Sequence, residues 1–290
     1  LRAERVARLV ETGMLDHADQ AAPRPDHVPA WHSLSPDQQA VSARSMEVYA
    51  AMVENLDANV GRVIDTLKKQ GRYDNTIILF MSDNGANGIM LQRNPMVADG
   101  WVALNSDNSL ENIGRKGSRP STGPGWALAG TAPFALHKLF ISEGGVRAPL
   151  IVAGPGIKHR SAPVETIATV RDLMPTLLEL AGVTAPSQYQ GKPVLPIEGV
   201  SMQPLLTGKT NTLHPPEQSF GFELFGMRGL RQGSWKITNI NKPFGSNRWQ
   251  LFNLATDPGE TENLASSHPE KLSQLTDAWQ AYADRTGIVM

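Results

Sequence analysis

The sequence predicts an α/β protein that closes with a smaller α+β unit built on an antiparallel sheet. Three observations predict it. An amphipathic pattern over residues 36–69 leads through a tight turn into a continuous apolar, β-branched run at 76–81, which is half of a doubly wound unit. A second apolar run, APLIVAGPGI, occupies 148–157. In the last hundred or so residues the pattern changes to short strand-like runs separated by Gly, Pro and Asn, the mark of strands joined by short connections. The expected division is therefore an α/β part over 1–185 and a small antiparallel-sheet part over 186–290.

The elements follow in order. Residues 1–15 form a short helix with Val6, Leu9, Val10 and Met14 on one side, and AAPRPDHVPA (21–30), with three prolines, is a linker or surface loop. Ser35, Pro36 and Gln38 supply the N-cap, first helical position and capping box of a long helix. Met46, Tyr49, Val53, Leu56, Val60, Val63 and Leu67 give that helix one apolar face, and Gly71 suits its C-terminal cap. Thr76 to Met81 reads as a strand buried on both faces of a parallel sheet. Residues 86–134 are rich in Gly, Asn, Ser and Pro, as binding loops, lids or disordered segments are, with a short helix expected near Leu110–Ile113. A strand at 148–157 and a helix from Ala168 to Leu180, ended by Gly182, complete the first part. SFGFELF, LRQGSWKITNI and RWQLFNL are the strands of the second part, and its closing helix carries Leu272, Leu275, Trp279 and Tyr282 on one side.

Composition narrows the function. Lys and Arg number 27 against 28 Asp and Glu, a net charge of −1, which argues against nucleic acid as the main partner. No apolar run reaches the roughly 18–20 residues that cross a bilayer, so no membrane partner is expected. The first ten residues, LRAERVARLV, carry charge throughout and are not the apolar core of a signal peptide. There is no cysteine, which removes disulfides, thiolate metal sites and a cysteine nucleophile.

Three positions could carry chemistry. Asp83-Asn84-Gly85 directly follows an apolar strand, at the sheet edge where α/β proteins bind ligands. A carboxylate beside a neutral amide oxygen suits a hard cation such as Ca²⁺ or Mg²⁺. Asp-Asn-Gly is also common turn chemistry, and local sequence leaves both readings open. Lys138 precedes Ser142-Glu143-Gly144-Gly145 and could meet an anionic oxygen, although most lysines are simply solvated. Neighbouring His137 is a weaker candidate. Arg147 suits a loop-holding role through a carboxylate pair, and Trp101 and Trp126 suit either a pocket wall or packing.

Several segments together are more specific than any one. MEVYAAMVENLD, TIILFMSDNGANG, DNSLENIGR, EGGVRAPLIVAGPG, DLMPTLLELAGV, FELFGMRGLRQGSWK and LFNLATDPGETENLA resemble bacterial arylsulfatases, in order, from about Trp31 to the end. Strand-DNG, EGG-[VI]-R-x-P and DP-x-E-x-x-NLA are the marks. The resemblance implies the alkaline-phosphatase-like fold and hydrolysis of a small-molecule sulfate ester. It implies one calcium, magnesium in some members, held by an early Asp-Asp pair, a formylglycine and a later Asp-Asn pair. Asp83 and Asn84 match that later pair, so the metal reading overtakes the turn reading. Lys138 matches the family lysine that binds sulfate and stabilises transition-state charge. The formylglycine is made from Cys or Ser in a C/S-x-P-S-R segment by a formylglycine-generating enzyme, an expected partner. No such segment occurs here; Ser118-Arg119-Pro120-Ser121-Thr122 lacks its arginine. The resemblance thus implies the C-terminal part of a longer sulfatase, inactive by itself. A phosphonate or phosphate ester hydrolase of the same superfamily, or a non-catalytic paralogue, is the alternative.

Overall fold

A computed structural model describes residues 1–93 and 97–289. By packing, the chain forms two compact units that interleave along the sequence: Leu1–Arg62 with Ser82–Pro149 and Ser219–Met290, and Val63–Met81 with Leu150–Gln218. No helix among the described residues is long and apolar enough to cross a membrane.

The first unit opens with helix α1, Arg2–Glu11, which buries Val6. The Pro-rich stretch that follows has no regular element beyond turns, yet it is tied down: the Ala22 amide donates to Pro133 O at 2.8 Å and the Arg2 guanidinium donates to Ala22 O at 2.8 Å. Helix α2, Pro36–Lys69, starts on the expected capping box. Gln38 N donates to Ser35 Oγ at 3.2 Å and Ser35 N to Gln38 Oε1 at 2.9 Å. The division between units falls within this helix. Its apolar face departs from expectation, because Tyr49, Val53, Leu56 and Val63 are exposed and Ser45 is its buried residue. Periodicity reports that one side of a helix asks for cover; it does not report that cover is present.

Strands β1, Ile78–Met81, and β2, Leu150–Ala153, pair in the second unit with Ile78 opposite Ala153 and Met81 opposite Leu150. The pairing is antiparallel, and Phe80, Met81, Leu150 and Ile151 are exposed, which corrects the expectation of a buried parallel strand. An apolar run carries no information about strand direction.

The long irregular segment contains helices α3, Trp101–Asn105, and α4, Gly123–Gly130. Residues 110–113 form turns instead of the expected helix. Helix α5, Glu143–Val146, is a single turn ahead of β2. In the second unit, a 3₁₀ turn at Val170–Asp172 leads into α6, Leu173–Leu180, and two-residue strands β3, Gln188–Tyr189, and β4, Lys192–Pro193, precede α7, Gln203–Leu206.

The last part of the first unit is a four-stranded antiparallel meander of β5, Ser219–Leu224; β6, Met227–Gln232; β7, Trp235–Asn239; and β8, Gln250–Asn253. The expected single strand LRQGSWKITNI is divided between β6 and β7, because Gly233, at φ +58°, and Ser234 turn the chain back on itself. Leu230 pairs with Ile237 and Ile237 with Leu251, so all three share one face. Helix α8, Pro269–Thr286, covers that face with Leu275, Trp279 and Ala283. Burial of each large side chain here contributes about 1.5–3 kcal/mol. The period-2 alternation then places Lys236 and Arg231, cross-strand partners, on the opposite face.

Candidate active site

Asp83, Asn84 and Lys138 all lie in the first unit, and backbone contacts bring their segments together. The chain leaves β1 through Ser82, whose hydroxyl donates to Asn84 O at 2.9 Å. Gly85 N then donates to Gly145 O at 2.9 Å, and Lys138 N donates to Ala86 O at 3.0 Å. The Gly144–Gly145 turn is thus wedged between the Asp83–Ala86 loop and the 135–140 loop.

The glycines of the two motifs are required by close approach. A Cβ on Gly85 would sit 1.8 Å from Gly144 O, one on Gly144 2.3 Å from both Ala135 O and Leu136 O, and one on Gly145 1.9 Å from Phe140 O. None of the three needs a left-handed backbone. The 135–140 loop is closed by Thr131 Oγ1 on Leu136 O and Ser142 Oγ on Ala135 O, each at 2.9 Å. Leu136 and Leu139 adopt positive φ, at +57° and +78°. Such conformations are disfavoured for leucine and persist where the surroundings over-determine them.

Asn84 Nδ2 donates to Gly85 O at 2.9 Å, which leaves its Oδ1 to accept or coordinate. Asp83 is exposed and Lys138 half-buried, and neither the carboxylate nor the ammonium pairs with a described side chain. One carboxylate and one amide oxygen match a hard cation in donor type. They fall short of its usual six to eight oxygens. No group of three acidic, histidine or cysteine side chains that could hold a metal exists among the described residues.

His137 is more than a sequence neighbour. It is buried, and its ring lies where a Cβ on Gly88 would be, 2.5 Å from Cε1 and Nε2. The Lys138 carbonyl can only accept, so the 2.9 Å contact assigns the proton to His137 Nδ1. Burial pushes the imidazole pKa down, against the pull of that hydrogen bond, and the charge of His27 lowers it further. Neutral His137 therefore packs the 86–88 segment against the lysine loop.

A buried ionic cluster stands behind the wedge. Glu143 Oε1 accepts from Lys236 Nζ at 2.8 Å and Glu143 Oε2 from Arg231 at 3.3 Å. Lys236 Nζ is also 2.9 Å from Glu260 Oε1, and Glu143 N donates to Glu260 Oε2 at 2.8 Å. Burial opposes the Glu143 carboxylate, but Lys236 and Arg231 outweigh it and hold the pKa below the ordinary range. Burial alone would lower Lys236; Glu143 and Glu260 reverse that and raise it. Glu260 is pushed up by burial, with Lys236 opposing and Glu143 adding to the rise. No spacing in the sequence joins these three residues.

Arg147 sits 3.9 Å from Glu143 Oε2 through a single nitrogen and stacks over Phe134 at 4.7 Å, so it holds the loop without a bidentate pair. Trp126 is a packing residue, donating to Ser42 O and Oγ of α2 at 3.1 and 2.9 Å. Trp101 is stacked under Arg119 at 5.1 Å.

Known proteins give this arrangement a family context. Residues 13–183 match the family model described as Sulfatase, and residues 134–281 match that of the N-sulphoglucosamine sulphohydrolase C-terminal region. An uncharacterised sulfatase of Schizosaccharomyces pombe is 43% identical over 262 residues, 90% of this chain and 47% of that one. The arylsulfatase of Klebsiella aerogenes is 40% identical over 211 residues, 71% of this chain and 44% of that one. The chain spans about half the length of these curated relatives. The solved PsFucS1 sulfatase from a Pseudoalteromonas species aligns over 81% of this chain and 42% of its own, at 23% identity and a TM-score of 0.53. At that identity the likeness shows the fold alone, and the fold is the alkaline-phosphatase-like one expected from the sequence.

Proposed function

Since the chain belongs to the sulfatase family, matched over residues 13–183, we propose that it supplies part of an active site that hydrolyses small-molecule sulfate monoesters. The observation that carries this reading is the pairing of an uncompensated carboxylate and amide oxygen with an uncompensated ammonium, on two loops wedged by one glycine turn. In this reading Asp83 and Asn84 provide some of the oxygens for a divalent cation, calcium or magnesium. When bound, the cation supplies charge stabilisation to the ester oxygens. Lys138 directs its ammonium at a peripheral sulfate oxygen, where negative charge gathers as sulfur becomes pentacoordinate. His137, neutral and buried, keeps the lysine loop seated.

The nucleophile, a formylglycine installed by a formylglycine-generating enzyme, and the remaining cation ligands are assigned to polypeptide outside this chain. The absence of Cys and of any C/S-x-P-S-R string supports that assignment. The chain by itself is therefore expected to be inactive. The test is turnover of a matched aryl sulfate and aryl phosphate, with and without added calcium, by the full-length polypeptide and by the 290-residue chain. Calcium-dependent sulfate hydrolysis by the full-length protein alone is the expected result. A strong preference for phosphate would move the protein to the phosphoryl side of the superfamily. Activity of the short chain would refute the division of the site.

A further inference from the structure

We propose that Glu143 is a positioning residue, whose buried bonds to Lys236, Arg231 and Glu260 anchor the glycine turn that holds both the Asp83–Asn84 loop and the Lys138 loop. The proposal rests on the reading above, that these loops bind the cation and the sulfate group. Glu143 and Glu260 are the glutamates of the two motifs EGG and DP-x-E, 117 residues apart, and they meet on the single ammonium of Lys236. Lys236 is wholly buried and both carboxyls nearly so.

The geometry fixes the turn more narrowly than apolar contact would. Each oxygen of Glu143 accepts from a different strand, Oε1 from Lys236 of β7 and Oε2 from Arg231 of β6. Two such bonds fix rotation as well as distance. The Glu143 amide is held separately, by Glu260. Glu260 has φ +56°, a left-handed conformation that glutamate rarely adopts and that its surroundings must impose. Two residues after Glu143, Gly145 O takes the amide of Gly85, the residue next to Asn84. A buried ion cluster is a poor source of stability compared with apolar packing of the same volume. Here its effect is to set the place of a turn on which both candidate loops rest.

The experiment uses the full-length enzyme with Glu143→Ala, Glu143→Asp and Glu143→Gln. Amide hydrogen exchange and steady-state hydrolysis of nitrophenyl sulfate are measured well below each unfolding midpoint. In Glu143→Ala, exchange in the 82–88 and 136–146 segments is expected to rise about tenfold while β5–β8 stay protected. The kcat is expected to fall about tenfold to a hundredfold, with KM changed far less, as for a small misplacement of catalytic groups. Glu143→Gln keeps one oxygen to accept from Lys236 but turns an NH2 toward the Arg231 donor, so it is expected to recover only part of both. Glu143→Asp keeps the charge but is one methylene short, so it is expected to show the same local loosening; it decides the matter if Glu143→Ala does not fold. Unchanged exchange at 82–88, or wild-type kcat per folded molecule in the Ala and Asp variants, would overturn the proposal. If the wild type hydrolyses neither aryl sulfate nor aryl phosphate, the catalytic reading fails by itself, and the exchange data still decide whether Glu143 clamps the loops.

Discussion

Lys138 illustrates how much depends on what surrounds a single residue. Its ammonium is half-buried and pairs with no described side chain, whereas the fully buried Lys236 is paired with two carboxyl groups. Lys138→Ala is expected to lower kcat of the full-length enzyme about 10²- to 10³-fold, the range for a lost transition-state donor. Unchanged kinetics would return the residue to the solvated surface. Asp83→Ala is expected to abolish calcium-dependent activity and to weaken calcium binding measured by calorimetry; wild-type affinity would refute the assignment. Gly85→Ala is a prediction about space. Its Cβ would meet the Gly144 carbonyl at 1.8 Å, backbone against backbone, so a loss of about 1–3 kcal/mol or more is expected in chemical denaturation. Gly61→Ala, in α2 with nothing within 4 Å, is the control and should gain about 0.5–1 kcal/mol. Asp83, Asn84 and Lys138 were singled out as candidates because each lies in or beside a motif a few residues long. Glu143, Lys236 and Glu260 were not, since the contacts among them span 93 and 117 residues and no local pattern encodes such a meeting.

At the scale of elements, relations over a few residues are legible in the sequence and tertiary context is not. The Ser35–Gln38 box is a relation over three residues, and it forms as expected. The helix expected from Ala168 starts later, at Leu173, after a 3₁₀ turn that Thr169 and Asp172 cap over the same three-residue spacing. The pairing of β1 with β2 and the exposure of the α2 stripe depend on what packs against them, which periodicity does not contain. Asp172 makes a sharper prediction. It is fully buried and accepts from Thr169 N at 2.6 Å, Val200 N at 2.9 Å and His214 Nε2 at 2.9 Å, joining the start of α6 to two later segments of its unit. Burial alone would raise its pKa; the bonds from His214, Val200 and Thr169 outweigh burial and lower it. A lowered native pKa stabilises the fold above the unfolded value, near 3.9, and the gain disappears as pH falls through the native value. Asp172→Ala is therefore expected to cost about 3–5 kcal/mol at neutral pH, as for a broken buried pair. Urea midpoints against pH should show the gap between variant and wild type narrowing below about pH 4. A gap independent of pH would mean that packing, not charge, is what the residue contributes.

At the scale of the whole molecule, the informative feature is apolar surface without cover. On β1 and β2, Phe80 and Ile151 are cross-strand partners, 44% and 61% exposed, and Met81 and Leu150 beside them are exposed as well. On α2, Tyr49, Met52, Val53 and Leu56 form a second uncovered stripe. A two-stranded ribbon leaves an unpaired edge on each strand, and an apolar ribbon of that kind is a template for association. The 290-residue chain is therefore expected to self-associate at micromolar concentration and to bind a hydrophobic dye while natively folded. Phe80→Glu with Ile151→Lys tests whether the ribbon is responsible. The two new side chains face each other across the strands, so opposite charges there should support the pairing instead of breaking it. Light scattering after gel filtration is expected to show the double variant shifted toward monomer, with a denaturation midpoint within about 1 kcal/mol of the parent. If association persists undiminished, the ribbon is not the contact. Substitution of Met52 and Leu56 by lysine would then ask the same question of the α2 stripe, where exposed helix positions should tolerate charge at a cost of less than about 0.5 kcal/mol each.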